Sequence, residues 1–325
     1  MNKEFAFIFP GQGSQSLGML ADLAAVYPVV AQTFAEASAI LDYDLWQLTL
    51  NGPDSELNLT HKTQPAMLAA GVAMWRIWQS QSPAIPRFMA GHSLGEYTAL
   101  VCAGALKFSD AINLVALRGR FMQEAVPANT GAMAALLGLA DDKVSEVCSQ
   151  AAQGEVVAAA NFNSPGQVVI AGHATAVERA VQLAKAAGAK RAIMLPVSVP
   201  SHCALMQAAA QHFAQHLNET PLKAPSIPVI NNVDVAVCSS PDAIRDALTR
   251  QLYLPVRWSE VINKMALSGV TTLVECGPGK VLSGLNKRIN PALKSLSLHN
   301  LAGLEQALAG DVAHNPMLEL EHAAK

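Results

Sequence analysis

At 325 residues, with 51% apolar and only 14% charged residues, the chain can build a large buried core and carries a prior of about two domains. A net charge of −3 argues against nucleic acid or an anionic membrane as partner, and 5% aromatics argue against a β-sandwich. The longest apolar runs, such as 98–106, fall far short of the roughly 18 residues that suggest a membrane span.

"FAFIF" (5–9) reads as a buried central strand closed by Pro10 and a Gly-rich loop; its apolar run is too short for a signal peptide. A helical pattern covers 17–41, broken near Pro28. "TQPAMLAAGVAMWRIWQS" (63–80) reads as a helix with Pro65 at its first position, where a missing N–H costs nothing. "RFMAGH" (87–92) is a second buried strand and "LGEYTALVCAGAL" (94–106) a buried helix. "SDAINLVALRGRFMQEAV" (109–126) is amphipathic, with Ser109 as its cap. From 131 to 197 the order is strand, helix, strand, strand, helix, strand, with an Asn163-Ser164-Pro165-Gly166 turn at its middle. That is the βαββαβ, ferredoxin-like arrangement. The expected fold class is α/β: a discontinuous core over 1–127 and 199–308 with a parallel sheet, a ferredoxin-like subdomain over 128–198, and a tail over 309–325. Five cysteines without a C-x-x-C pair read as reduced thiols, so a cytoplasmic location is expected; a monomer is expected separately.

Gly91-His92-Ser93-Leu94-Gly95 fits G-x-S-x-G between a strand and a helix, the setting of a nucleophile elbow. Its glycines permit the tight turn, and the helix start aims amides at an oxyanion. Ser93 and Glu96 also spell the S-x-x-E of a capping box, so on spacing alone nucleophile and cap stand as alternatives. A serine needs a base, and His202 lies where the inserted unit returns to the core, on a loop end before a new helix. His212 and His216 lack an acidic third ligand and read as a solvated face, not a metal pair. Cys203 is a weak rival nucleophile. Asp110, Asp141, Asp142 and Glu178 all read as caps or helix surface, which leaves a later acid or a backbone carbonyl to orient the imidazole. Gly11-Gln12-Gly13 lacks the third glycine of a dinucleotide fingerprint; the alternative is that it exposes the Gln12 N–H as an oxyanion donor beside that of Leu94. Gly277-Pro278-Gly279-Lys280 lacks the first glycine and the Ser/Thr of a P-loop. Arg118 and Arg120 sit two apart on one helix, so at most one turns inward, where it would clamp a carboxylate.

"FIFPGQGSQ", "TQPA", "AGHSLGEY", "RGRFMQEA", "NFNSPGQVVIAG", "PVSVPSH", "NNVD" and "ECGPGKVL" occur together in this order in one family. Over about residues 4 to 308 the chain resembles the bacterial malonyl-CoA:acyl carrier protein transacylases, the malonyl-loading enzymes of fatty acid synthesis. The resemblance implies an α/β-hydrolase-like core carrying the ferredoxin-like insertion. It implies a ping-pong acyltransferase that moves a malonyl group from malonyl-CoA to the pantetheine thiol of acyl carrier protein, with no metal and no cofactor. Ser93 would carry the malonyl ester and His202 would be general base, then acid. The amides of Gln12 and Leu94 would form the oxyanion hole, the main-chain carbonyl of Gln251 would hold the imidazole, and Arg118 would clamp the malonyl carboxylate. Gln64, Met122 and Val281 match positions that line the family's pocket. Ser201 stands where some polyketide acyltransferases place a bulky residue, which leaves exclusion of an α-methyl group open. Carrier protein is acidic, and Lys190-Arg191 and Lys287-Arg288 are candidate basic pairs for it or for CoA phosphate.

Overall fold

The computed structural model of the chain describes residues 4–127, 129–197 and 199–309. Strand β1 (Phe5–Phe9) is buried at every residue, and its Phe7 ring meets Trp75 and Trp78 at 5.3 and 5.2 Å between centroids. A strand apolar on both faces belongs mid-sheet, with helices on either side. Four short helices follow, α1 (Ala21–Val26), α2 (Val29–Leu41), α3 (Leu45–Asn51) and α4 (Asp54–Leu57), and then the long, largely buried α5 (Thr60–Gln81). Strand β2 (Phe88–Gly91) turns directly into α6 (Gly95–Cys102), and α7 (Phe108–Glu124) packs beside α5.

Next come β3 (Gly131–Leu137), α8 (Asp141–Ala152), β4 (Val157–Ser164), β5 (Gln167–His173), α9 (Ala174–Ala186) and β6 (Arg191–Met194). Their four strands form a separate antiparallel sheet in the order β4-β5-β3-β6. Alternation assigns its two faces. Val168 and Ile170 join Ala132, Ala134 and Leu136 against α8 and α9, while Val169 and Ala171 join Met133 on the opposite face with Cys203.

The chain then returns through α10 (Gln207–Glu219), β7 (Val229–Ile230), α11 (Pro241–Gln251), α12 (Trp258–Leu267), β8 (Thr272–Glu275), α13 (Val281–Ile289), β9 (Lys294–Ser297) and α14 (Leu301–Ala309). The five core strands are parallel, ordered β7-β2-β1-β8-β9. Phe9 pairs with Gly91, so the loops after β1 and β2 leave the same edge of the sheet side by side. The carboxyl edge of a parallel sheet is where such folds place ligands. No helix among the described residues is long and apolar enough to cross a membrane.

Two expected helix starts are corrected. Pro65 lies inside α5, which begins at Thr60 because its first turn is held against α7. A Cβ on Gly119 would come within 2.5 Å of the His61 Cα, so only glycine permits that approach. Ser109 does not cap α7: Leu106 bridges to Leu222, the chain stays extended through Lys107, and the helix starts at Phe108 without a side-chain cap. The expected tail over 309–325 lies outside the described residues beyond Ala309.

Candidate active site

The turn between β2 and α6 explains both glycines of the G-x-S-x-G motif. A Cβ on Gly91 would meet the Gly95 carbonyl carbon at 1.8 Å, and one on Gly95 would meet the Phe9 oxygen at 2.1 Å. Ser93 between them takes φ +52, in the left-handed region that a non-glycine residue occupies only where its surroundings compel it. Its N–H donates to Asn232 Oδ1 at 2.7 Å, and Asn232 Nδ2 donates to the Gly91 oxygen at 2.7 Å. The side chain of one asparagine from the segment after β7 therefore ties both limbs of the turn.

The capping-box alternative fails on geometry. The Ser93 hydroxyl points away from the helix, 2.8 Å from His202 Nε2, and α6 has no side-chain cap. Glu96, the other half of the box, is buried and accepts at Oε2 from the Asn232 N–H (3.0 Å) and Gln251 Nε2 (2.8 Å). Desolvation raises its carboxyl to about 7.

His202 is 3% exposed, with φ +63. Its Nδ1–H donates to the Gln251 main-chain oxygen at 2.7 Å, which leaves the Nε2 lone pair facing the serine. Among the described residues no carboxylate contacts the imidazole; Asp141, Asp142 and Glu178 are exposed on their helices. Burial, reinforced by the charge of Arg118, lowers the imidazole to about 3, so it rests as the neutral base. Cys203 is buried with its Sγ 3.1 Å from the Pro200 oxygen, and burial pushes the thiol up to about 11. That removes it as a nucleophile. His212 is exposed and His216 half-buried, and their rings pack on Phe121.

Arg118 turns inward from α7 and Arg120 outward. At 1% exposure the Arg118 guanidinium donates to Gln64 Oε1 (2.9 Å), Gln251 Oε1 (3.0 Å) and Ser93 Oγ (3.1 Å). Its acceptors are two amide oxygens and a hydroxyl, and its Nε finds none. A buried cation without a carboxylate is expensive unless an anion joins it.

These groups border a cavity of about 690 Å³. Gln12, Gln64, Ser93, Leu94, Arg118, Met122, Ser201, His202 and Val281 all line it, while Gln251 stands behind the wall. The amides of Gln12 and Leu94 donate to no protein acceptor among the described residues. Met122 receives Gln64 Nε2 at its sulfur, 3.7 Å away, and Val281, 48% exposed, sits at the mouth. Lys190, Arg191, Lys287 and Arg288 are exposed and do not border the cavity; Arg288 donates to Gln167 Oε1 at 2.6 Å. The Gly277–Lys280 loop has no free helix start to offer a phosphate. The Glu275 carboxylate already accepts from the Leu282 and Ser283 amides at 3.0 and 2.8 Å. Among the described residues no cluster of three or more His, Cys, Asp or Glu is arranged to hold a metal.

Asn232, Glu96, Asn163 and the Gln251 side chain complete the site without belonging to any motif that points to chemistry. Asn163 Oδ1 receives the His92 Nε2–H at 2.8 Å and so ties the elbow to the inserted sheet. Asn232 and Asn163 lie in the motifs "NNVD" and "NFNSPG", whose paired buried asparagines were the available signal.

The model of the family described as "Acyl transferase domain" matches residues 6–311. The malonyl CoA-acyl carrier protein transacylase of Escherichia coli (strain K12) is 60% identical over 305 residues, covering 94% of this chain and 99% of that one. Among solved structures, an acyl carrier protein S-malonyltransferase from Vibrio cholerae superimposes with a TM-score of 0.92 at 60% identity, again covering 94% and 99% of the two chains. A malonyl-transacylase in complex with its holo type II PKS acyl-carrier protein gives 0.93 at 58%, with the same coverage.

Proposed function

The chain belongs to the acyl transferase domain family, among the malonyl CoA-acyl carrier protein transacylases, and from that premise we propose that it moves a malonyl group from malonyl-CoA to the pantetheine thiol of acyl carrier protein through an ester on Ser93. The observation that carries this reading is Arg118: a buried cation that bonds no carboxylate among the described residues, 3.1 Å from a serine that is itself 2.8 Å from a neutral imidazole. Such a site favours an acyl group with a free carboxylate.

In the first half-reaction Ser93 Oγ attacks the thioester carbon and its proton passes to His202 Nε2. The oxyanion forms against the amides of Gln12 and Leu94, each donor of this kind being worth about 10²–10³ in rate. Collapse breaks the C–S bond, and His202 returns the proton to the CoA sulfur. In the second half the carrier thiol gives its proton to His202 and attacks the ester, and Ser93 recovers the proton as it leaves. The Gln251 carbonyl stabilises the transient imidazolium in place of an acid. The strand order β4-β5-β3-β6 supports a ferredoxin-like subdomain over 128–198, and the parallel sheet with its elbow supports an α/β-hydrolase-like core over 1–127 and 199–308. On the same proposal the enzyme works as a cytoplasmic monomer that needs no metal or cofactor.

The test is intact mass after mixing with malonyl-CoA and quenching in acid, with Ser93→Ala in parallel. One malonyl group retained on the wild type alone, and discharged by carrier protein, is expected. Release of CoA without an adduct would make this a hydrolase and overturn the transfer reading.

A further inference from the structure

Gln251 serves the site twice. Its main-chain oxygen receives the His202 Nδ1–H, and its side-chain Oε1 receives Arg118 Nη2–H at 3.0 Å. The two ends of an amide are almost the same size, so packing alone does not choose which one faces the arginine; the hydrogen-bond partners must. At the far end Nε2 donates to Glu96 Oε2 at 2.8 Å and to the Ser93 main-chain oxygen at 3.0 Å. Turned over, the amide would set N–H against guanidinium N–H and oxygen against carboxylate. The Ser93 oxygen already takes the Glu96 N–H at 3.1 Å, whereas Glu96 Oε2 is aimed at the amide by the Asn232 N–H at 3.0 Å. Glu96 itself does not border the cavity.

We propose that Glu96 is a positioning residue, whose carboxylate fixes the Gln251 amide with its oxygen toward Arg118 and so sets the preference for acyl thioesters that bear a free carboxylate. The inference rests on the acyl-transfer reading, since it is expressed as discrimination between malonyl and acetyl groups. Without the acceptor the amide can turn, and Arg118 loses one of the two amide oxygens that hold it beside Ser93.

The experiment compares loading of Ser93 from malonyl-CoA and acetyl-CoA in Glu96→Met and Glu96→Gln, reading kcat and KM separately. In Glu96→Met the malonyl-to-acetyl ratio of kcat/KM should fall at least about tenfold, mainly through malonyl KM. Glu96→Gln, whose amide oxygen can accept the same two N–H groups, should keep the ratio within about threefold of wild type. Glu96→Asp, withdrawn by one methylene, should show the same loss as Glu96→Met and stands in if that variant does not fold. In a Gln251→Leu background the Glu96 substitutions should change the ratio no further, because the amide they act through is gone. Equal losses with both donors, or a Glu96→Gln ratio as low as that of Glu96→Met, would overturn the proposal. A wild type that retains neither acyl group removes the transfer reading and this proposal with it; a wild type that loads while every variant keeps its ratio overturns the proposal alone.

Discussion

Arg118 shows how a single residue can set chemistry by what it lacks. Its hydrogen-bond acceptors hold the guanidinium in place without a direct ion pair among the described residues, so a substrate carboxylate completes the site. Arg118→Ala should lower malonyl loading by at least about 100-fold, near 3 kcal/mol, and raise the relative acceptance of acetyl-CoA. An unchanged malonyl/acetyl preference, measured with both donors, would rule out the clamp. His202 gives a second prediction at this scale. Buried against Arg118 and near His92, its imidazole is lowered from 6.5 to about 3, so kcat/KM for loading should stay level from about pH 7 down to about pH 5. An inflection near 6.5 that persists in Glu96→Gln, where the neighbouring carboxyl no longer titrates, would contradict a buried neutral base. The linked stability has the opposite sign to that of a gained cation: the folded state binds fewer protons at His202, and stability is lost as pH falls from 6.5 toward 3. Glu96, raised from 4.5 to about 7, works against it, losing stability as pH rises through that window. Ser93, His202 and Arg118 were legible because motif, loop position and helix phase each depend on nearby residues. Glu96 was legible only as half of a capping box, because its partners Asn232 and Gln251 lie far along the chain and meet it only after folding.

At the scale of elements, the elbow is held by close approach of backbone to backbone. Gly95→Ala would place a Cβ 2.1 Å from the Phe9 oxygen, and neither β1 nor α6 can retreat without disturbing the buried strand beside it. A cost of about 3 kcal/mol or more follows, read as a fall in Tm of roughly 4 °C or more and a loss of Ser93 loading. A variant that melts and loads like the wild type would show that the contact is dispensable. The same sterics explain why this part of the fold was readable: an all-apolar strand, a glycine turn and an apolar helix are local signals. Helix starts at Thr60 and Phe108 were not, because α7 packing against His61 and the Leu106–Leu222 bridge set them from outside. Strand β9, with the sequence Lys-Ser-Leu-Ser, carries little apolar signal at all; among the described residues it is an edge strand paired with β8.

Across the whole molecule, the cavity lies between the core and the inserted sheet, and contacts from both sides keep that cleft in register. His92 reaches Asn163, the Phe162 and Val256 amides donate to Val256 and Ala160 oxygens, and Arg288 reaches Gln167. The last contact organises charge as well. Gln167 pairs with Leu137, Leu137 pairs with Arg191, and Lys190 donates its amide to the Leu137 oxygen. Lys190, Arg191, Lys287 and Arg288 therefore share one rim, and α13 runs from that rim to Val281 at the cavity mouth. A net charge of −3 hides this cluster of basic residues, and under the proposed function it is the surface an acidic carrier is expected to meet as it delivers its pantetheine arm. Rim charges act mainly on encounter and are screened beyond roughly 10 Å at 0.1 M salt. Reversing Arg191 and Lys287 together, and leaving the Arg288 contact intact, should raise KM for acyl carrier protein about tenfold at low salt, with the difference from wild type shrinking as salt rises. The reading should be the second half-reaction, started from enzyme already malonylated on Ser93, so that any effect on CoA phosphates stays out of the measurement. Equal discharge rates for variant and wild type across the salt series would move the docking surface off this rim, while leaving the chemistry at Ser93 untouched.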